Sequence, residues 1–160
     1  MPWDLLLPVV RSWGETPFAM WLGRTPVRVA ILLTIHLFGI TTLLGTVILA
    51  SLRLLGWFQR QKPIAQLDRD LRPVRRVGLT LTLLTGSLVF TGGAVSYWEG
   101  SWFRLKLELL AAALIFHVTV YHRIVRLNRQ GFPFVHRVTA VVMLLLWFCV
   151  GWAGRAIAFF

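Results

Sequence analysis

The chain has 160 residues, 57% of them hydrophobic and only 14% charged, with 17 Lys and Arg against 6 Asp and Glu. A soluble domain is about a quarter charged, so these charges are too few to cover a water-facing surface. The long uncharged runs exclude a nucleic-acid-binding domain, whereas the positive-inside bias of membrane proteins accounts for both the runs and the basic excess. The single cysteine, Cys149, excludes a disulfide framework, a Cys-ligated iron–sulfur cluster, a four-thiolate zinc site and a CxxCH haem attachment.

Residues 1–26 mix Trp3, Leu6, Val10, Trp13, Phe18 and Trp21 with Asp4, Arg11, Glu15 and Arg24, and Pro17 interrupts them. No run here is long enough to span a bilayer, and there is neither a basic start nor a small-residue cleavage site, which argues against a secretory signal. The pattern predicts a broken amphipathic segment lying in the headgroup region, anchored by tryptophans. Four apolar segments follow, at about 27–52, 77–98, 102–123 and 138–159. Each approaches the roughly 20 helical residues that a hydrocarbon core requires. The predicted fold class is therefore an all-α integral membrane protein, a four-transmembrane-helix bundle (27–160) with an interfacial amino-terminal segment.

The loop between the first two spans carries Arg53, Arg60, Lys62, Arg69, Arg72, Arg75 and Arg76, and the loop between the last two carries Arg123, Arg126, Arg129 and Arg137. These same-side loops hold most of the cations, so they are predicted to be cytoplasmic and both termini periplasmic, in a bacterial inner membrane. The run Arg69–Arg76, with Asp68 and Asp70, reads as a solvated loop beside anionic lipid.

Ionisable groups inside a membrane are costly and therefore candidates for function. His36 in span one and His117 in span three lie nine residues beyond Val27 and ten beyond Leu107, which predicts similar depth on helices running the same way. Two neutral imidazoles facing each other are what a six-coordinate haem b requires. Gly39, Gly86 and Gly93 offer close approach for a flat macrocycle. Arg28, Lys106 and Arg155 offer cations for its propionates, with Lys106 three turns before His117 on one face. His122 and His136, at the cytoplasmic boundary, are weaker candidates for a second haem or a quinone head-group site. Against all this stands the ordinary reading of a membrane histidine as polar glue and of glycines as helix-packing residues. Cys149 reads as a small packing residue, and most tryptophans mark span ends.

Ile35-His36-Leu37-Phe38-Gly39, Lys106 eleven residues before His117, and the closing Gly154-Arg155-Ala156-Ile157-Ala158-Phe159-Phe160 resemble a family of uncharacterised four-helix bacterial membrane proteins. The layout is more loosely similar to copper-resistance D-like proteins and to di-haem cytochrome b561-like bundles. In the cytochrome relatives, histidines on alternate helices ligate haem b and exchange electrons with quinone. Here only two histidines are deep, which implies one haem, and Met1, Met20 and Met143 form no copper pathway.

The leading expectation is a membrane haem b electron-transfer subunit, with His36 and His117 as axial ligands, exchanging electrons with quinone or a partner redox protein rather than acting as a stand-alone enzyme. The alternative is a haem-free or pigment-binding accessory subunit of a larger membrane complex. A copper or proton transporter is third, since the spans lack an acidic relay. The implied partners are the lipid bilayer and other complex subunits, not nucleic acid.

Overall fold

The computed structural model describes residues 3–59, 61–127 and 133–157, and every regular element among them is a helix. A 3-10 turn, Asp4–Leu6, leads into α1, Leu7–Gly14. α2, Pro17–Gly23, starts where the sequence breaks: the Thr16 hydroxyl accepts from the Ala19 amide and donates to the Trp13 carbonyl. Pro17 sits in the first helical turn, where its missing N–H has no consequence.

α3, Pro26–Leu55, is 30 residues long, about 45 Å at 1.5 Å per residue. It stops at Gly56, whose φ of 80° places it in the left-handed cap that glycine favours. α4 runs from Ile64 to Thr91, with Pro73 inside it on an exposed position. The charge run read as a solvated loop is thus the first half of a helix, and Asp68 within it is fully buried. That helix ends before the predicted second span does. The chain turns at Gly92 and Gly93 into a separate short helix α5, Ala94–Glu99. Gly23 of α2 faces the Gly92 backbone so closely that a Cβ on Gly23 would collide with the Gly92 carbonyl.

α6, Ser101–Phe116, passes directly into a π-helical turn, His117–Tyr121, and then α7, His122–Leu127. α8 covers Pro133–Ala156. Two helical stretches, Pro26–Leu55 and Phe134–Ala156, are long and apolar enough to cross a membrane.

α3 packs along α4 and α8, and α6 packs along α8. The α3–α4 contact is close because glycines face backbone. A Cβ on Gly39 would lie 2.7 Å from Thr82 Oγ1, and one on Gly78 would lie 2.7 Å from the Leu43 amide nitrogen. Such small-residue seams let helices gain packing where no hydrophobic drive separates lipid from protein. The main core joins Leu43, Val47, Ala50 and Leu54 of α3 to Tyr121 and to Ala140, Met143 and Trp147 of α8. A second cluster, Val10, Ala94 and Trp98, straps the amino-terminal pieces to the opposite end, with Trp98 Nε1 donating to the Trp3 carbonyl at 3.1 Å.

The surface is apolar, with a few polar side chains set inside the apolar core. Leu37, Phe38, Leu84, Ile115 and Phe148 are all more than half exposed, whereas His36, Thr46, Ser51, Asp68 and Thr85 are buried. Exposed Cys149 belongs to the first group, not to the core.

Candidate functional site

Two groups of polar side chains stand inside the bundle at different levels. The first is built on His36. Its Nδ1 lies 2.9 Å from Thr85 Oγ1 on α4, and the Thr85 hydroxyl lies 2.6 Å from the Leu81 carbonyl. A hydroxyl has one proton, and Leu81 takes it. His36 Nδ1 therefore donates to Thr85, which leaves Nε2 with its lone pair. This is how a helper residue fixes an imidazole as a ligand or base. Gly86 provides the room: a Cβ there would come within 3.0 Å of His36 Cε1. The Lys106 side chain of α6 lies along α8, its Nζ 3.3 Å from where a Gly154 Cβ would sit. The same small-residue logic serves both contacts.

The second group is centred on Asp68. Its carboxylate accepts from Arg75 Nη2 at 2.8 Å, Arg72 Nη2 at 3.1 Å and the Tyr121 hydroxyl at 3.0 Å. Burial alone would raise this carboxyl's pKa. The Arg75 hydrogen bond and charge, with the bonds from Arg72 and Tyr121, outweigh that and hold it below the usual carboxylate value. The His117 ring stacks on Tyr121 with centroids 4.7 Å apart, and Arg75 Cζ lies 5.8 Å from the same ring centre. His117 Nδ1 and Arg75 Nη1 are buried without a hydrogen-bond partner. His117 and Tyr121 bound the π turn, four residues apart and so neighbours on one side of it.

These contacts separate the two deep histidines. α4 serves as a ruler, since His36 sits against Thr85 and Gly86 while Tyr121, next to His117, reaches Arg75 and Asp68. Arg75 and Gly86 are eleven residues apart on that helix, roughly 16 Å. Two imidazoles on one metal need nitrogens about 4 Å apart, each bond being near 2 Å. The expected similar depth rested on counting span three from Leu107. α6 in fact begins at Ser101 after the break at Gly100, so His117 lies much further along its helix than His36 does along α3.

The other expected site residues are dispersed. Gly39 packs on Thr82, and Gly93 closes a local turn, where a Cβ would meet the Tyr97 ring at 3.1 Å. Arg28 does not point toward the bundle interior. It donates to the Trp21 carbonyl and stacks on the Trp21 ring, 4.0 Å from its centre. Arg155 is exposed near the end of α8, and Glu108 is exposed on α6. His122 opens α7 and His136 lies in the first turns of α8, both half-buried. Phe159 and Phe160 of the closing motif lie outside the described residues. No cluster of three or more His, Cys, Asp or Glu suited to a metal ion occurs among the described residues.

Among the described residues, the fold and site define a helical protein with two helices of membrane-crossing length and two internal polar centres. Residues 10–160 match the family of unknown function DUF6644, and the chain belongs to that family. No curated protein and no solved structure matches it.

Proposed function

We propose that this is a four-span protein of the bacterial cytoplasmic membrane, with both termini outside, that carries one haem b on His36 as an accessory subunit of an electron-transfer complex. The observation that carries this reading is the His36–Thr85–Leu81 chain, which presents Nε2 as a lone-pair donor inside the bundle. The donor set fits a tetrapyrrole held from one face: a neutral imidazole on α3, with Lys106 of α6 as a cation for a propionate carboxylate. It does not fit a tetrapyrrole clamped between His36 and His117. When bound, haem supplies one-electron chemistry. Thr85 orients the ligand ring, Gly86 leaves space for it, and Lys106 supplies positive charge. Quinone or a partner redox protein would be the electron exchange partner.

The four-span topology is supported by the apolar exterior and by the Arg-rich inner ends of α4, α7 and α8. One observation favours the haem-free or pigment-binding accessory reading instead: the His36 ring already fills the space beside Gly86. A transporter is less well supported. The bundle does contain a carboxylate, Asp68, but three donors hold it as a fixed anion.

The deciding experiment is a reduced-minus-oxidised visible spectrum of the protein isolated from its own membranes. Haem bands that vanish in His36→Leu and persist in His117→Leu support the proposal. Bands that depend on His117, or a colourless native protein, overturn it, and magnesium-pigment bands replace it with the pigment reading.

A further inference from the structure

Buried polar atoms in a folded protein have a hydrogen-bond partner, in the chain or in ordered water, with few exceptions. Arg75 Nη1 and His117 Nδ1 are buried and find no such partner among the described residues. They lie at one level of the bundle, because α4 and α6 run in opposite directions. Phe90, near the end of α4, stacks on Phe103, near the start of α6, with ring centroids 5.2 Å apart. Asp68, near the start of α4, meets Tyr121 beyond the end of α6. Counted from the Phe90–Phe103 contact, Arg75 is fifteen residues back along α4 and His117 fourteen forward from α6. At 1.5 Å per residue the two are level to about 2 Å. Both border the Tyr121 ring, His117 by stacking and Arg75 through its guanidinium. Thr82 Oγ1 is likewise buried and unpartnered, but a Cβ on Gly39 would lie 2.7 Å from it, so that seam has no room for a water.

We propose that ordered water occupies an internal site beside Tyr121, accepting from Arg75 Nη1 and donating to His117 Nδ1. Charge selects a neutral occupant. Arg75 and Asp68 already cancel as an ion pair, and Arg72 is 39% exposed, so a buried anion would have no cation of its own. Polarity selects water over an apolar filler, because a charged N–H left unmet inside the bundle costs more than a neutral one. The Tyr121 hydroxyl offers a third partner, since it spends its proton on Asp68 and keeps its lone pairs. The direction of the bonds follows. A water that accepts from a guanidinium has its own protons free and polarised, so it donates to His117 Nδ1. His117 then carries its proton on Nε2, the opposite tautomer from His36, whose Nδ1 donates to Thr85. The site forms a second bridge between α4 and the π turn, independent of any haem on His36.

Solid-state NMR of the whole isotope-labelled protein in lipid bilayers tests it, with the His117 ring assigned through correlations to Phe116 and Val118. His117 Nδ1 should carry no proton. Its ring signals should build up from water magnetisation roughly threefold faster than those of Ala113, which is buried one turn away. Arg75→Met should erase that difference and leave His117 a mixture of tautomers, whereas Arg75→Lys, which keeps a charged donor, should retain both signatures. Where Arg75→Met fails to fold, the wild-type and Arg75→Lys spectra decide. A proton on His117 Nδ1, or a build-up no faster than at Ala113, overturns the site. So does a rapid build-up that a folded Arg75→Met leaves unchanged.

Discussion

Replacing Asp68 with Asn puts the inner polar centre to a quantitative test. Asp68 has a side chain with no exposed surface, and Arg75 beside it is 11% exposed. Breaking a buried pair by neutralising one partner costs about 3–5 kcal/mol, because the remaining charge stays buried without compensation. Asn keeps one acceptor oxygen, but its amide protons face donors. The loss is thus expected near the lower end, about 3 kcal/mol. Arg72 contributes little to that figure, since it is 39% exposed and pairs of that kind are worth roughly 0–1 kcal/mol. Tyr121→Phe removes one of three hydrogen bonds to the carboxylate and should cost about 1–2 kcal/mol. The assay is equilibrium unfolding in mixed micelles of a mild detergent and dodecyl sulfate, followed by tryptophan emission. The sign of the pH dependence follows from the lowered pKa of Asp68. Its stabilisation is present above the ordinary carboxylate value of 3.8 and is lost as pH falls below it toward the folded-state pKa. The difference between wild type and Asp68→Asn should therefore be constant near neutrality and shrink below about pH 4. A loss under 1 kcal/mol, or one matched by Arg72→Gln, would refute the argument.

Further outcomes follow from the same geometry. Gly78→Val should push α3 from α4 and lower stability by about 1–3 kcal/mol, whereas Gly45→Ala, in open space, should be neutral or slightly stabilising; the same unfolding assay reads both. Thr85→Val removes the acceptor for His36 Nδ1, so nitrogen NMR of the imidazole should shift from one tautomer to a mixture, while an unchanged spectrum would deny Thr85 its orienting role. A reporter at Gln61 should read cytoplasmic, and a periplasmic reading would reverse the proposed orientation.

α3 and α8 were legible in the sequence because each is a long stretch nearly free of charge, a signal that does not depend on neighbours. The break between α1 and α2 was legible as well, since Pro17 and Thr16 act locally. The inner polar centre was not, although a clue was present: Asp68, Arg72 and Arg75 fall at i, i+4 and i+7 and so on one helical face. Counting them as loop charges concealed that face, and nothing local announces that Tyr121, fifty-three residues away, supplies the third donor. The His36–His117 pairing failed for a different reason. Depth was measured from Leu107, but α6 starts six positions earlier because Arg104 and Lys106 are helical, with Arg104 Nε bonded to the Trp98 carbonyl at 2.8 Å. The π turn depends on packing around His117 and Tyr121 and has no sequence signature here.

Read as an assembly, the bundle is two antiparallel hairpins, α3 with α4 and α6 with α8, laid together along α3 and α8 and pinned at one end by the Tyr121–Asp68 bond. The covalent link between the hairpins passes through the short helix α5 and then Gly100, in an extended conformation before α6. The recognition that joins the halves is therefore held in side chains, not in the connecting peptide. Two separately encoded fragments, 1–99 and 100–160, carry complementary faces and should find each other in a bilayer. The protein is in this sense already a heterodimer written on a single chain.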